Sequence, residues 1–410
     1  LIYDVLVAMG YMAEEFAPEI QTNYGDTILQ FIAQGLEHPY PKVKYIAVKC
    51  IQNFETGIKD HPEVKIFENY LDKILGSLGK IFEESLTSMN CFMLEAVLDS
   101  ISTIASMNSF AKYYNVFMPG LKKTISIVGD DTHQKVMIRS KTIESMGFLL
   151  SSVKDTKELF LPDCKEIMES LLNMTANMDE DDPIHKATFI VYQNVVDCLK
   201  ADFAVYAERI FQRAIEAVNK KIDFSIVDEG DTEKTENKKN QYVKMKVDLK
   251  IDGLKNLVLN TDHLEQKMEA AHLLEAMAED MGPAFGPYIE KTIPTVSELI
   301  TFKHNKQIRG NMIRISNHLL KDCVNNEQKG YVLNAILPPL IQELGIVIRT
   351  KDHLEMSEIV EVLSEMMPEM SMEMKAKLPE FLITVLTAVR NMTKEVEKYY
   401  ADKEMDDDMQ

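Results

Sequence analysis

Tryptophan is absent from the 410 residues, and cysteine is scarce at five. Cys50, Cys91, Cys164, Cys198 and Cys323 show neither paired nor metal-ligand spacing, and an odd number excludes complete internal pairing. A disulfide framework is therefore excluded, and a reducing compartment is expected. No apolar run approaches the roughly 18 to 20 residues of a membrane span, and no basic, then cleavable apolar segment opens the chain. Positive charge is in deficit, with 45 Lys and Arg against 65 Asp and Glu, a formal charge of −20. Such a surface repels nucleic-acid backbones and anionic membranes and attracts basic proteins. Solubility alone would also account for it.

Motifs for chemistry are missing too. The chain has no Gly-x-x-x-x-Gly-Lys-Ser/Thr phosphate loop, no Gly-x-Gly-x-x-Gly, no Gly-x-Ser-x-Gly elbow and no His-Glu-x-x-His helix. His263 and His272, with Glu265, Glu269 and Glu275 nearby, are nine residues apart on one expected helix, a spacing that does not share a metal-binding face. Asp179-Glu180-Asp181-Asp182-Pro183 lacks the alternation and Gly of a calcium loop. It reads as the turn before a helix, with carboxylates at the helix amino terminus and Pro183 in the first turn. No catalytic residue, metal or cofactor is expected.

What the chain does have is a repeat. A Phe or Tyr, a Pro-containing apolar helix, a turn and a second apolar helix return about every 40 to 46 residues, the period of paired-helix solenoids. First helices begin near Tyr70, Tyr114, Phe160, Tyr206, Tyr288, Ala335 and Leu378. Among second helices, Pro41 to Phe54 is the clearest, with Val43, Ala47, Cys50 or Ile51, Phe54 and Ile58 in one apolar stripe and Pro41 suited to the first turn. Its Pro-x-Val-basic-x-x-Ala pattern is close to a HEAT second helix, and Val136 to Lys141 and Ile308 to Met312 echo it. The expected fold is all-α, a right-handed superhelical HEAT-repeat solenoid of antiparallel helix pairs. Met, at 25 residues, suits the irregular gaps between stacked helices.

The gap between Tyr206 and Tyr288 is nearly two periods, so it holds an extra pair or an insertion. Residues 228–240 are polar, and Val243, Met245, Val247, Leu249 and Ile251 then alternate with Lys and Asp at the strand period. The organisation expected is HEAT repeats over 1–220, an inserted polar loop or short extended segment over 221–251, further repeats over 252–400 and the start of an acidic loop over 401–410. Leu1 to Gly10 reads as the middle of a second helix, apolar where a preceding repeat would pack, which predicts a fragment of a longer array.

Asn53, Asp99 and Glu144 fall near the middle of successive second helices, with Glu95 one turn before Asp99 on the same face. In a HEAT superhelix the second helices form the concave wall, so stacking would align these acceptors to hold Lys side chains or an extended peptide backbone. The other reading is a chance alignment of ordinary surface polar residues.

Ala8 to Ala13 before Phe16-Ala17-Pro18, Ile51-Gln52-Asn53-Phe54, Met93 to Ala105, Tyr113 to Lys122, Lys141-Thr142-Ile143-Glu144 and Asp179 to Pro183 together resemble the importin beta superfamily, in its importin five, Kap121-like branch. The match keeps order and spacing over most of residues 1–260 and is looser beyond. The resemblance implies a nuclear import receptor, shuttling between cytoplasm and nucleus, that binds basic nuclear localisation signals of cargo proteins and releases them to Ran-GTP. It implies nucleoporins as further partners, and no nucleic acid or membrane insertion. The covered stretch is similar to the cargo-binding middle of such receptors, Ran being engaged mainly by parts missing here. Asn53, Glu95 and Glu144 match positions of the family's signal-binding second helices, while Asp99 only shares their face. Where the family tends to have Trp and Arg after the acidic turn, this chain has Tyr192 and Asn194. A structural HEAT scaffold or regulatory subunit is the alternative.

Overall fold

The structure, a computed structural model, describes residues 1–59, 61, 64–105, 110–130, 132–178, 182–221, 224–228, 242–249, 253–372, 375 and 390. The expected first helix near Leu378, the acidic residues 401–410 and Asp179 to Asp181 lie outside them. Two compact units form, one of residues Leu1–Leu199 with Ile222–Glu269, the other of Lys200–Lys221 with Ala270–Gln410.

In the first unit, α1 (Ile2–Glu15) is followed by the pairs α2 (Glu19–Leu36) and α3 (Pro41–Thr56), α4 (Leu71–Ser88) and α5 (Cys91–Ala105), α6 (Tyr114–Ile127) and α7 (His133–Ser152), and α8 (Lys157–Met174) and α9 (Ile184–Leu199). Local sequence sets these boundaries. Pro41 occupies the first turn of α3, where its missing N–H costs nothing, and Asp182 accepts from the N–H of Ile184 at 2.9 Å to open α9. Pro119 and Pro162 sit inside α6 and α8. Each forfeits a helical hydrogen bond, a loss that burial of the apolar face must outweigh.

Packing runs along the array as well as within the pairs α2/α3, α4/α5 and α6/α7. α1 packs on α3, α3 on α5, α5 on α7 and α7 on α9, while α2 packs on α4 and α4 on α6. The stripe of α3 is buried as its spacing demands, with Ala47, Val48, Ile51 and Phe54 fully inside. Each such large aliphatic or aromatic side chain contributes about 1.5–3 kcal/mol. Two glycines permit close approach. A methyl group at Gly35 would meet Ala47 Cβ at 2.8 Å and Leu6 Cδ1 at 2.9 Å, and one at Gly147 would meet Val191 at 3.0 Å.

The long interval is an insertion, not an extra pair. Between α10 (Ala204–Asn219) and α11 (Thr261–Asp280) lie three strands, β1 (Phe224–Asp228), β2 (Tyr242–Leu249) and β3 (Gly253–Asn260). They form an antiparallel sheet in the order β1-β3-β2, with Phe224 opposite Leu259 and Tyr242 opposite Asn260. The alternation at Val243 to Leu249 falls on β2. Residues 253–260, which the sequence assigns to the following repeats, are instead the central strand: Leu257-Val258-Leu259 is a short apolar run that periodicity cannot distinguish from a buried helix segment.

In the second unit α12 (Ile289–Leu299) and α13 (Lys306–Lys321) precede α14 (Asn326–Thr350) and α15 (His353–Met366). Contrary to the expectation that no segment has the length and apolarity of a membrane span, α14 has both. It serves as a packed helix, with Val332, Ile336, Leu340, Leu344 and Val347 in the core and Glu343 buried beside Arg309. That arginine is the unit's polar anchor. Its Nε and Nη2 donate to the two Glu355 oxygens at 2.6 and 2.8 Å, its Nη1 donates to Phe302 O at 2.8 Å, and Glu343 Oε1 lies 3.4 Å from Nε. One side chain thus ties α13 to both helices of the next pair.

Glu55 is the first unit's anomaly. It is buried in the last turn of α3, and among the described residues neither carboxyl oxygen has a hydrogen-bond partner. Burial lifts its pKa to about 8.

Two outcomes follow from these buried charges. Replacing Arg309 with Met strands two buried carboxylates and should cost about 3–5 kcal/mol, read as a fall in Tm. Glu55 stays protonated in the folded chain where the unfolded chain ionises, so its stability is full below pH 4.5 and is lost as pH climbs to about 8. Thermal melts from pH 5 to 8 should therefore decline more steeply for the wild type than for Glu55→Gln; parallel curves would refute the assignment.

Candidate functional site

The second helices of the first unit build one wall. They run parallel, as ascending contacts between α7 and α9 show: Ser140 Oγ donates to Pro183 O at 3.3 Å, Gly147 backs onto Val191, and Lys154 Nζ reaches Asp197 Oδ2 at 3.1 Å. Between α3 and α5 the level is set by Ser100 Oγ donating to Val48 O at 3.1 Å, and between α5 and α7 by the hydroxyls of Ser102 and Ser145, 2.8 Å apart. A polar side chain on this wall therefore has a defined neighbour on the next helix.

That register separates the four candidate residues into two kinds. Asp99, at mid-helix on α5, lies between two lysines: Lys49 Nζ of α3 at 3.4 Å and Lys141 Nζ of α7 at 3.0 Å. Lys141 also reaches Glu144 Oε2 at 3.5 Å. Burial alone would lower the Lys141 pKa, but Glu144 and Asp99 together raise it, so the ammonium is held charged. Glu144 is pushed up by burial although Lys141 and Lys186 pull the other way. Lys186 of α9 is in turn bound to Glu265 Oε2 of α11 at 2.6 Å. The wall carries an alternating ladder, Lys49, Asp99, Lys141, Glu144, Lys186, Glu265.

Asn53 and Glu95 stand outside it. Both are half-buried, and among the described residues neither side chain has a hydrogen-bond or ionic partner. They are not level with each other. Lys49 and Asp99 mark one height; Asn53 lies a turn beyond it in the last turn of α3, and Glu95 a turn before it on α5. The two are offset along the helix axes by about 12 Å, eight residues at the α-helical rise. Stacking brings Asp99 and Glu144 together through Lys141 and leaves Asn53 and Glu95 on either side.

Sequence reasoning missed the lysines. Lys141 lies three residues before Glu144, a spacing that signals an ion pair on a helix, but the partnership with Asp99 requires the inter-repeat register. Tyr192, where the related pattern has Trp, is fully buried in α9, and Asn194 Nδ2 donates to Ile190 O at 3.0 Å. Both differences face inward or along their own helix. A second concavity of about 90 Å³, between α6, α7 and α8, is lined by Lys122, Ile143, Met146, Glu166 and Leu171. Lys122 closes one side by binding Asp163 at 2.8 Å and Glu166 at 2.6 Å. Among the described residues no three His, Cys, Asp or Glu side chains converge as metal ligands, and the five thiols are free, with burial pushing Cys50 and Cys164 to about 12.

No family profile matches the chain. Among curated proteins it is similar to importin subunit beta-3 of Saccharomyces cerevisiae, with 24% identity over 300 residues that make up 72% of this chain and 26% of that protein. It is also similar to a probable importin-5 homolog of Dictyostelium discoideum, with 23% identity over 273 residues, 65% of this chain and 23% of the other. The chain thus spans about a quarter of the length of these relatives. Its fold matches the crystal structure of Kap121p with a TM-score of 0.71 and 18% identity, covering 96% of this chain and 36% of that one. Other crystal structures of the same protein hold it bound to Pho4p and to RanGTP. The chain is thus similar in sequence to two importins over most of its length and shares the HEAT-repeat solenoid fold of Kap121p.

Proposed function

We propose that this chain is the cargo-binding part of a nuclear transport receptor, non-catalytic, that takes up Lys-rich localisation signals along the wall of second helices. The observation that carries the reading is the sequence similarity to two importins over most of the chain, on a fold shared with a protein crystallised with Pho4p and with RanGTP. Asn53 and Glu95 are the natural first contacts, because each offers oxygen acceptors that no side chain of the wall has taken. Glu144 is the third, exposed enough to accept from a ligand beside its Lys141 contact. A charge-assisted hydrogen bond to an ammonium contributes about 1.5–3 kcal/mol, and neighbouring apolar side chains can cover the lysine stems. Such a receptor would shuttle between cytoplasm and nucleus, meet nucleoporins on the way and give up cargo to Ran-GTP.

A structural scaffold is the second reading, favoured by the ladder itself, which spends most of the wall's carboxylates on joining repeats. The discriminating measurement is titration of a fluorescent hexalysine peptide, flanked by Gly and Ser, into the 410-residue chain. A receptor wall should bind it, more weakly as salt rises, and the triple variant Asn53→Ala/Glu95→Ala/Glu144→Ala should lose about tenfold or more in affinity. Equal affinities for wild type and triple variant would remove the site, and an absence of binding in both would favour the scaffold.

A further inference from the structure

The ladder contains lysines where a Lys-rich ligand would place its own. Lys49 and Lys141 converge on Asp99 from α3 and α7, at 3.4 and 3.0 Å, with all three side chains partly buried. Lys141 adds the contact to Glu144 at 3.5 Å, and Lys186, the next cation along the wall, is held by Glu265 at 2.6 Å. An ammonium arriving at Asp99 finds the carboxylate already enclosed by two of its own kind. To bind there it must expel one of them into water, which exchanges one ammonium–carboxylate contact for another and gains almost nothing.

We infer that Lys141, assisted by Lys49, is a built-in competitor that closes the Asp99 position to basic ligands, and that it is a specificity-determining residue of the wall. The inference rests on the proposed uptake of Lys-rich peptides. It divides the wall into positions that accept a ligand ammonium, at Asn53, Glu95 and the open side of Glu144, and a middle position at Asp99 that does not. A bound peptide would then be read on either side of Asp99, at Asn53 and Glu95, which are offset by about 12 Å along the helix axes and by roughly 8–10 Å across the two packed helices, with the residues beside Asp99 unread by charge. Spacing between lysines, more than their number, becomes what the wall selects.

The test is removal of the competitor. In Lys141→Met the aliphatic stem still covers its neighbours while the ammonium is gone, exposing Asp99 to the ligand beside the already accessible Glu144. The 410-residue chain carrying this substitution should bind the same hexalysine peptide about three- to tenfold more tightly than wild type, with a steeper dependence on salt. Adding Asp99→Asn should return the affinity to the wild-type value. Lys49→Met opens the same carboxylate from the other side and should show a gain of the same sign, which keeps the test decisive if thermal melts show Lys141→Met to be unfolded. Should the wild type bind through Asn53 and Glu95 while neither Met variant gains affinity, the competitor is refuted and the uptake reading stands. Should neither wild type nor Met variants bind, both are refuted. Binding that appears only in the Met variants would support the competitor and overturn uptake by the natural wall.

Discussion

A helix pair that is apolar on both flanks cannot be stable alone, and every other feature of this chain depends on that constraint. Burial of Leu6, Ala47, Ile51, Val97, Ile101 and Leu149 against neighbouring repeats supplies the driving force, so helix register between repeats is fixed by side chains the surface never displays. At Gly35 and Gly147 this packing is tight, and both face a second helix across less than the room a methyl group needs. Once the apolar contacts set the heights of α3, α5, α7 and α9, the polar residues on their other face have no choice of neighbour. The ladder from Lys49 to Glu265 is a by-product of core packing as much as a feature in its own right.

The two units solve the problem of charge inside a stack differently. In the first, lysines and carboxylates alternate along the partly solvated edge of the wall, where each pair contributes little by itself and the network derives its order from the helices. In the second, Arg309 sits among Glu355, Glu343 and the carbonyl of Phe302 and satisfies every one of them from inside. A planar guanidinium can do this and an ammonium cannot, because its donors diverge in a fork that matches one carboxylate in bidentate fashion while a third N–H points elsewhere. Glu55 has no such partner among the described residues, and a proton neutralises it where it is buried.

Much of the fold was legible in the sequence because its determinants are local. Pro41, Val43, Ala47, Ile51 and Phe54 announce the start, the face and the period of α3 within a single window, and Asp182 with Pro183 marks the beginning of α9. The strand insertion was legible only where it alternates, at Val243 to Leu249; β3, paired on both sides, has the continuous apolar run that looks the same as helix. The candidate site was half legible. Its residue types and helices could be named, but whether Asp99 is open or enclosed depends on Lys49 and Lys141, each about one repeat away in sequence, and on heights that only packing defines. Glu55 gave no signal at all, since a carboxylate near the end of a helix is ordinarily solvated.

The ladder also separates two jobs that a charged surface usually performs together. Lys49, Lys141 and Lys186 cancel Asp99, Glu144 and Glu265, so that stretch of the wall projects almost no field beyond a few ångströms, although the whole chain carries −20. The net charge of −20 therefore resides outside the ladder. Under the proposed uptake of basic peptides, approach and seating would be governed by different residues: surface acids far from the wall would accelerate encounter, and the acceptors left open on it would decide how long the peptide stays.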